Sequence, residues 1–129
     1  MSDVSDPTSW VERAEEDYAL ARSALRRKVP LTYGACFHAQ QCAEKYLKAM
    51  LVARKHPFSK IHDLLVLSDE CAQAGIVLSV SSDQLSSLSY YAVRARYPGE
   101  DPTPDEAREA FEVAKAVRRF ARTFLEALK

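Results

Sequence analysis

The stretch that most constrains the fold is "TPDEAREAFEVAKAVRRFARTFLEAL", residues 103–128. Thr103 offers a side-chain cap, Pro104 suits the first helical position, and Asp105 and Glu106 place acids in the first turn. Ala107, Ala110, Ala114, Val117, Ala121, Phe124 and Leu128 then recur at offsets of three and four. A helix of this length with one apolar stripe must bury that stripe against other elements. Its small alanines call for close helix partners.

The remaining punctuation predicts four more helices. "SDPTSWVE" offers a capping box from Ser9 and Glu12, after Pro7, to start a first helix running to about Lys28. Trp10, Ala14, Tyr18, Ala21 and Leu25 form its stripe, and "KVPLTYG" breaks it. A second helix covers roughly Tyr33–Arg54, ahead of "KHPFSK". A third starts near Ser59 or Lys60 and stops at Gly75, a good C-terminal cap. "IVLSVSSD" is rich in β-branched residues but has no strand to pair with, so it reads as an extended connection. A fourth helix starts at Ser81 or Ser82, with Gln84 completing a capping box, and runs to "RARYPGEDP". Long helices joined by short connections imply an all-α, antiparallel up-and-down bundle of four to five helices. With 129 residues, the chain reads as one domain, residues 1–129.

Charge narrows the function classes. Lys+Arg and Asp+Glu are both 18, so no global field draws the chain to polyanions. Cys36, Cys42 and Cys71 sit at no zinc spacing and in apolar helical settings, where cysteine acts as a small buried hydrophobe. No run of about 18 apolar residues and no charged-then-apolar leader occurs, so the expectation is a cytoplasmic protein with no membrane partner. No metal or cofactor is expected.

The richest segment is "CFHAQQCAEKYLKAML", residues 36–51. At 100° per residue, Ala35, Cys36, Ala39, Cys42, Ala43, Tyr46, Leu47 and Met50 fall within an arc of about 140° and form a core face, with Cys42 at its edge. His38, Gln41, Lys45 and Lys48 form an opposite polar stripe, beside which Glu44 pairs with Lys48 at i,i+4. Only His38 and Cys42 share a face, and two ligands do not make a metal site. Phe37 and Leu51 also project from the polar side, which implies a cover: a second subunit, or helix 1 and the loop after helix 2.

"FHAQQCAEKYLKAML", with "HDLLVL" at 62–67 and "YYAVRARYP" at 90–98, resembles the HEPN family, the higher-eukaryote and prokaryote nucleotide-binding domain, in its small stand-alone prokaryotic form. The resemblance implies an up-and-down bundle that forms a homodimer, often encoded beside a minimal nucleotidyltransferase partner in toxin–antitoxin pairs. Many members are metal-independent ribonucleases with an Arg-x(4–6)-His motif, in which histidine handles the 2′-hydroxyl or leaving-group proton and arginine stabilises phosphate charge. This chain departs from that pattern. The positions open to histidine after Arg94 hold Gly99, Glu100 and Asp101, and after Arg96 they hold Asp101, Pro102 and Thr103. Arg54 and His62 are one residue too far apart.

No catalytic residue is therefore assigned. The candidate ligand-binding residues are His38, Gln41, Lys45, Lys48, His62, Tyr90, Arg94 and Tyr97. On helix 4 the last three recur at i, i+4 and i+7, so arginine can meet a phosphate while the rings stack on a base. The competing reading packs Tyr90 and Tyr97 in the bundle and pairs Arg94 with Glu100 or Asp101. Arg118, Arg119 and Arg122 add a weak cationic cluster. Together these features predict a dimeric module that binds a nucleotide, a partner nucleotidyltransferase or both, without ribonuclease activity. The alternative is a metal-independent ribonuclease toxin pairing Arg94 with His38 or His62.

Overall fold

The computed structural model describes residues 4–129, in which five helices follow one another: α1 Pro7–Arg26, α2 Thr32–Ala53, α3 Leu64–Gln73, α4 Ser82–Arg94 and α5 Pro104–Ala127. Two starts follow the predicted capping chemistry. Ser81 and Gln84 form the reciprocal box of α4, and Thr103 and Glu106 form that of α5, with Pro104 at the first position.

Two other starts differ from expectation. The cap of α1 is Asp6, whose carboxylate accepts from the Thr8 amide at 2.9 Å, not Ser9 with Glu12. Pro7 explains this, because its ring presets helical φ directly after an acidic cap, and Ser9 is thereby drawn into the helix. In the same way α3 begins at Leu64, not at Ser59 or Lys60. Asp63 is the cap and accepts from the Leu65 and Val66 amides, while the Ser59 amide and hydroxyl reach across to Glu70. Side-chain acceptors thus compete for the backbone donors that a longer α3 would have used.

Both α2 and α3 end in Schellman motifs. In α3, Gly75 takes φ +80, and the Ile76 amide donates to Cys71 O at 2.9 Å as Ile76 enters the core. In α2, Lys55 takes the corresponding position at φ 55, and the His56 amide donates to Leu51 O at 3.0 Å. "IVLSVS", residues 76–81, forms the α3–α4 connection, as expected, and the Ser82 and Asp83 that follow open α4.

α2 touches all four other helices, and α1, α5, α4 and α3 follow one another around it. α1 runs antiparallel to α2, and α4 to α5: His38 meets Asp17 while Tyr46 meets Glu15, and Arg94 meets Glu106 while Tyr91 meets Glu109. The predicted core face of α2 is fully buried, Cys42 at its edge included. Central position also explains why the polar stripe is covered. Ala14, Ala21 and Ala24 of α1 bury their small side chains and let α1 lie close against α2. Leu51 is likewise buried within the chain, and Phe37 packs between Tyr33 and His38. Leu51 therefore needs no second subunit to cover it.

Candidate functional site

The eight candidate residues fall into three groups. On the α1 side of α2, Asp17 is buried and binds two of them. His38 Nδ1 lies 2.8 Å from Asp17 Oδ1, and Lys45 Nζ lies 2.5 Å from Oδ2. Below them Glu15 of α1 accepts from Tyr46 Oη and, in a fork, from Arg118 Nε at 2.7 Å and Nη2 at 3.0 Å. Arg118 holds the Glu15 carboxyl below its ordinary range, and Glu15 in turn holds the guanidinium above its own. Arg122 joins Glu15 at 3.4 Å, while Arg119 is exposed. Gln41 is half-buried beside this group.

The second group surrounds Glu44. Lys48, 5% exposed, lies 3.0 Å from the Glu44 carboxylate, itself 2% exposed. The Lys48 ammonium also sits 5.5 Å from the Trp10 ring and 5.7 Å from the Phe58 ring, a favourable cation–aromatic arrangement. From the loop before α3, His62 Nδ1 reaches Glu44 at 2.9 Å. The polar stripe is therefore two ion clusters, covered by α1 and the loop after α2, the second of the two covers expected. Each cation there already has a carboxylate.

The third group lies at the end of α4. Arg94 Nη2 donates to Glu106, the N3 residue of the α5 capping box, and not to Glu100 or Asp101. The α4–α5 antiparallel register brings Glu106 alongside, whereas Glu100 and Asp101 lie in the exposed connection. Tyr90 and Tyr91 place their rings 5.4 and 5.6 Å from the guanidinium carbon. Tyr91 Oη donates to Glu109 at 2.8 Å, which raises its own deprotonation range. Tyr90 and Tyr97 are 59% and 57% exposed, so they do not pack in the bundle. The i, i+7 stripe itself breaks, because α4 ends at Arg94 and Tyr97 stands in the following turn.

The histidines divide between these regions. His38 is bound to α1, and among the described residues α1 makes no contact with α4, which carries Arg94. Gln40 links His62 to α4: its amide donates to His62 O at 3.0 Å and accepts from Ser89 Oγ at 3.3 Å. The residues that sequence reasoning missed are Asp17, Glu15, Gln40 and Glu106. All but Gln40 are carboxylates on other helices, and only tertiary packing selects them from the acids that each helix carries.

Burial raises the thiols of Cys36, Cys42 and Cys71 to about 12, which marks them as packing groups. No three potential metal ligands converge among the described residues. A cavity of about 450 Å³ lies between the start of α1 and the ends of α2 and α5, lined by Pro7, Val11, Ala53, Arg122 and Leu125, away from all eight candidates. No described helix is long and apolar enough to cross a membrane.

A central helix wrapped by four others, with its polar face tied to α1 and an arginine between tyrosines at the end of α4, defines a small all-helical bundle domain. The HEPN domain model matches residues 8–124, and the chain belongs to the HEPN domain family. Among solved structures, TT1696 from Thermus thermophilus is similar at 26% identity and a TM-score of 0.70, over 92% of this chain and 97% of that one. ST0689, an archaeal HEPN homologue, shares the fold at 24% identity and a TM-score of 0.65, over 96% and 98% of the two chains. No curated protein matches the sequence.

Proposed function

We propose that this protein is a dimeric, non-catalytic HEPN module that binds a nucleotide, and through it or beside it a partner nucleotidyltransferase, at the end of α4. One observation carries the reading: the Arg94 guanidinium carbon lies 5.4 Å from the centre of the Tyr90 ring, which is mostly in solvent, as is Tyr97 in the turn after α4. Exposed aromatic faces beside a guanidinium suit a base and a phosphate. Lys48 is a poor phosphate receptor by comparison, because its ammonium is almost wholly buried against Glu44. The dimer part of the proposal draws on Val29, Leu31 and Tyr33, which expose apolar surface at the α1–α2 connection.

The test is thermal stabilisation by nucleotides, since a ligand that binds only the folded state raises stability. The expected result is a shift in the wild type that Arg94→Ala removes and Lys45→Ala retains. No shift at millimolar nucleotide would leave a scaffold without ligand. Incubation with RNA and EDTA tests the toxin alternative, and cleavage that Arg94→Ala abolishes would replace this proposal with a ribonuclease. Light scattering tests the dimer, and a monomer at tens of micromolar would remove that part.

A further inference from the structure

The geometry points to Glu106 as a built-in competitor at the Arg94 site, so that binding of a phosphate exchanges one anion for another on the same guanidinium. This rests on the nucleotide reading above. Glu106 meets Arg94 at a single donor, Nη2. Arg94 Nε is buried and has no hydrogen-bond partner among the described residues. A guanidinium presents its Nε and Nη donors as a fork that matches two oxygens of one phosphate. An anion replacing Glu106 would thus satisfy a donor that the carboxylate leaves unpaired, and an unmade buried hydrogen bond is itself unfavourable.

The displaced carboxylate is not stranded. Glu106 Oε1 also accepts from the Thr103 amide at 2.9 Å, and the residue stands in the first turn of α5, where negative charge is favoured. Its side chain and that of Arg94 are each about a quarter exposed, at 27% and 23%, so a ligand can reach the pair. The rings of Tyr90 and Tyr91 hold the guanidinium in place throughout. Glu106 therefore sets how strongly an anion must bind before it is taken up, and it selects charged over uncharged ligands.

The test uses calorimetric titration of AMP and adenosine into the wild type, Glu106→Gln and Arg94→Ala. Glutamine keeps the acceptor for the Thr103 amide, so the capping box survives while the charge is lost. Glu106→Gln should bind AMP about fivefold tighter, the size expected on removing a competing, partly exposed ion pair. Adenosine affinity should not change. Unchanged or weaker AMP binding in Glu106→Gln, with binding still lost in Arg94→Ala, would overturn the competitor role and leave the nucleotide reading intact. AMP binding that survives Arg94→Ala, or no AMP binding to the wild type or Glu106→Gln at millimolar concentration, would remove both. A second readout needs no variant: the side-chain Nε–H resonance of Arg94 should move as AMP is added to the wild type. Shifts near Tyr90 without movement of that resonance would also overturn the exchange.

Discussion

Removing one partner of the Glu44–Lys48 pair should destabilise the bundle far more than replacing both. The two groups are 2% and 5% exposed and 3.0 Å apart. Glu44→Gln leaves a buried ammonium without its counter-charge, a loss of about 3–5 kcal/mol for broken buried pairs. The Trp10 and Phe58 rings stay within reach of the ammonium. Cation–aromatic attraction offsets about 1 kcal/mol, which leaves a net cost of roughly 2–4 kcal/mol. Lys48→Met strands the carboxylate less, because His62 Nδ1 remains 2.9 Å away. Its cost should be about 2–3 kcal/mol. In the double variant methionine fills the volume of the lysine stem and the amide carries no charge, so the cost should be only about 0–1 kcal/mol. The cycle then yields a coupling of about 3 kcal/mol or more. Urea unfolding followed by far-UV circular dichroism measures all four proteins, since a domain of this size starts with about 5–15 kcal/mol. Single variants that each cost less than about 1 kcal/mol, or a double variant equal to their sum, would refute the reasoning.

Three further outcomes are expected. Gly75→Ala should lose about 1 kcal/mol through left-handed strain alone, since no atom lies within 4 Å of an added Cβ, while Lys55→Gly at the matching position of α2 should be neutral or stabilising. Equal, same-sign effects in chemical denaturation would contradict that account. The three cysteines should resist a thiol reagent at pH 8 in the native state and all react after denaturation, because burial holds each near 12. Fast labelling of the native protein would place at least one at an accessible site. Arg118 depresses the Glu15 carboxyl below its ordinary 4.5, so the stability this pair contributes is present above that value and lost as pH falls through the lower folded value. Glu15→Gln should flatten the acid limb of the stability curve, and an unchanged limb would show that Glu15 does not contribute to it.

The histidine and lysines of α2 show where sequence reading reached its limit. Periodicity correctly separates them from the core face, and i,i+4 spacing correctly pairs Glu44 with Lys48. Phe37 and Leu51 on that side call for a cover, but do not decide between α1 and a second subunit. Asp17 is one of several acids in α1, and only the α1–α2 register turns it toward His38 and Lys45. The same holds for Arg94. Its nearest acids in sequence are Glu100 and Asp101, but its partner is Glu106, brought there by the antiparallel return of α5.

Local chemistry thus determined the five helices, the capping boxes of α4 and α5, the glycine stop after α3 and the core faces of α2 and α5, the latter ending before Leu128, which is exposed. Each of these depends on neighbours within a turn or two, where backbone donors and side-chain acceptors are set by covalent spacing. Tertiary structure alone decided which helix lies at the centre, which carboxylate neutralises each cation, and which aromatic rings stay in solvent. Those outcomes depend on register between helices, and a polar stripe reads the same in sequence whether water or another helix covers it.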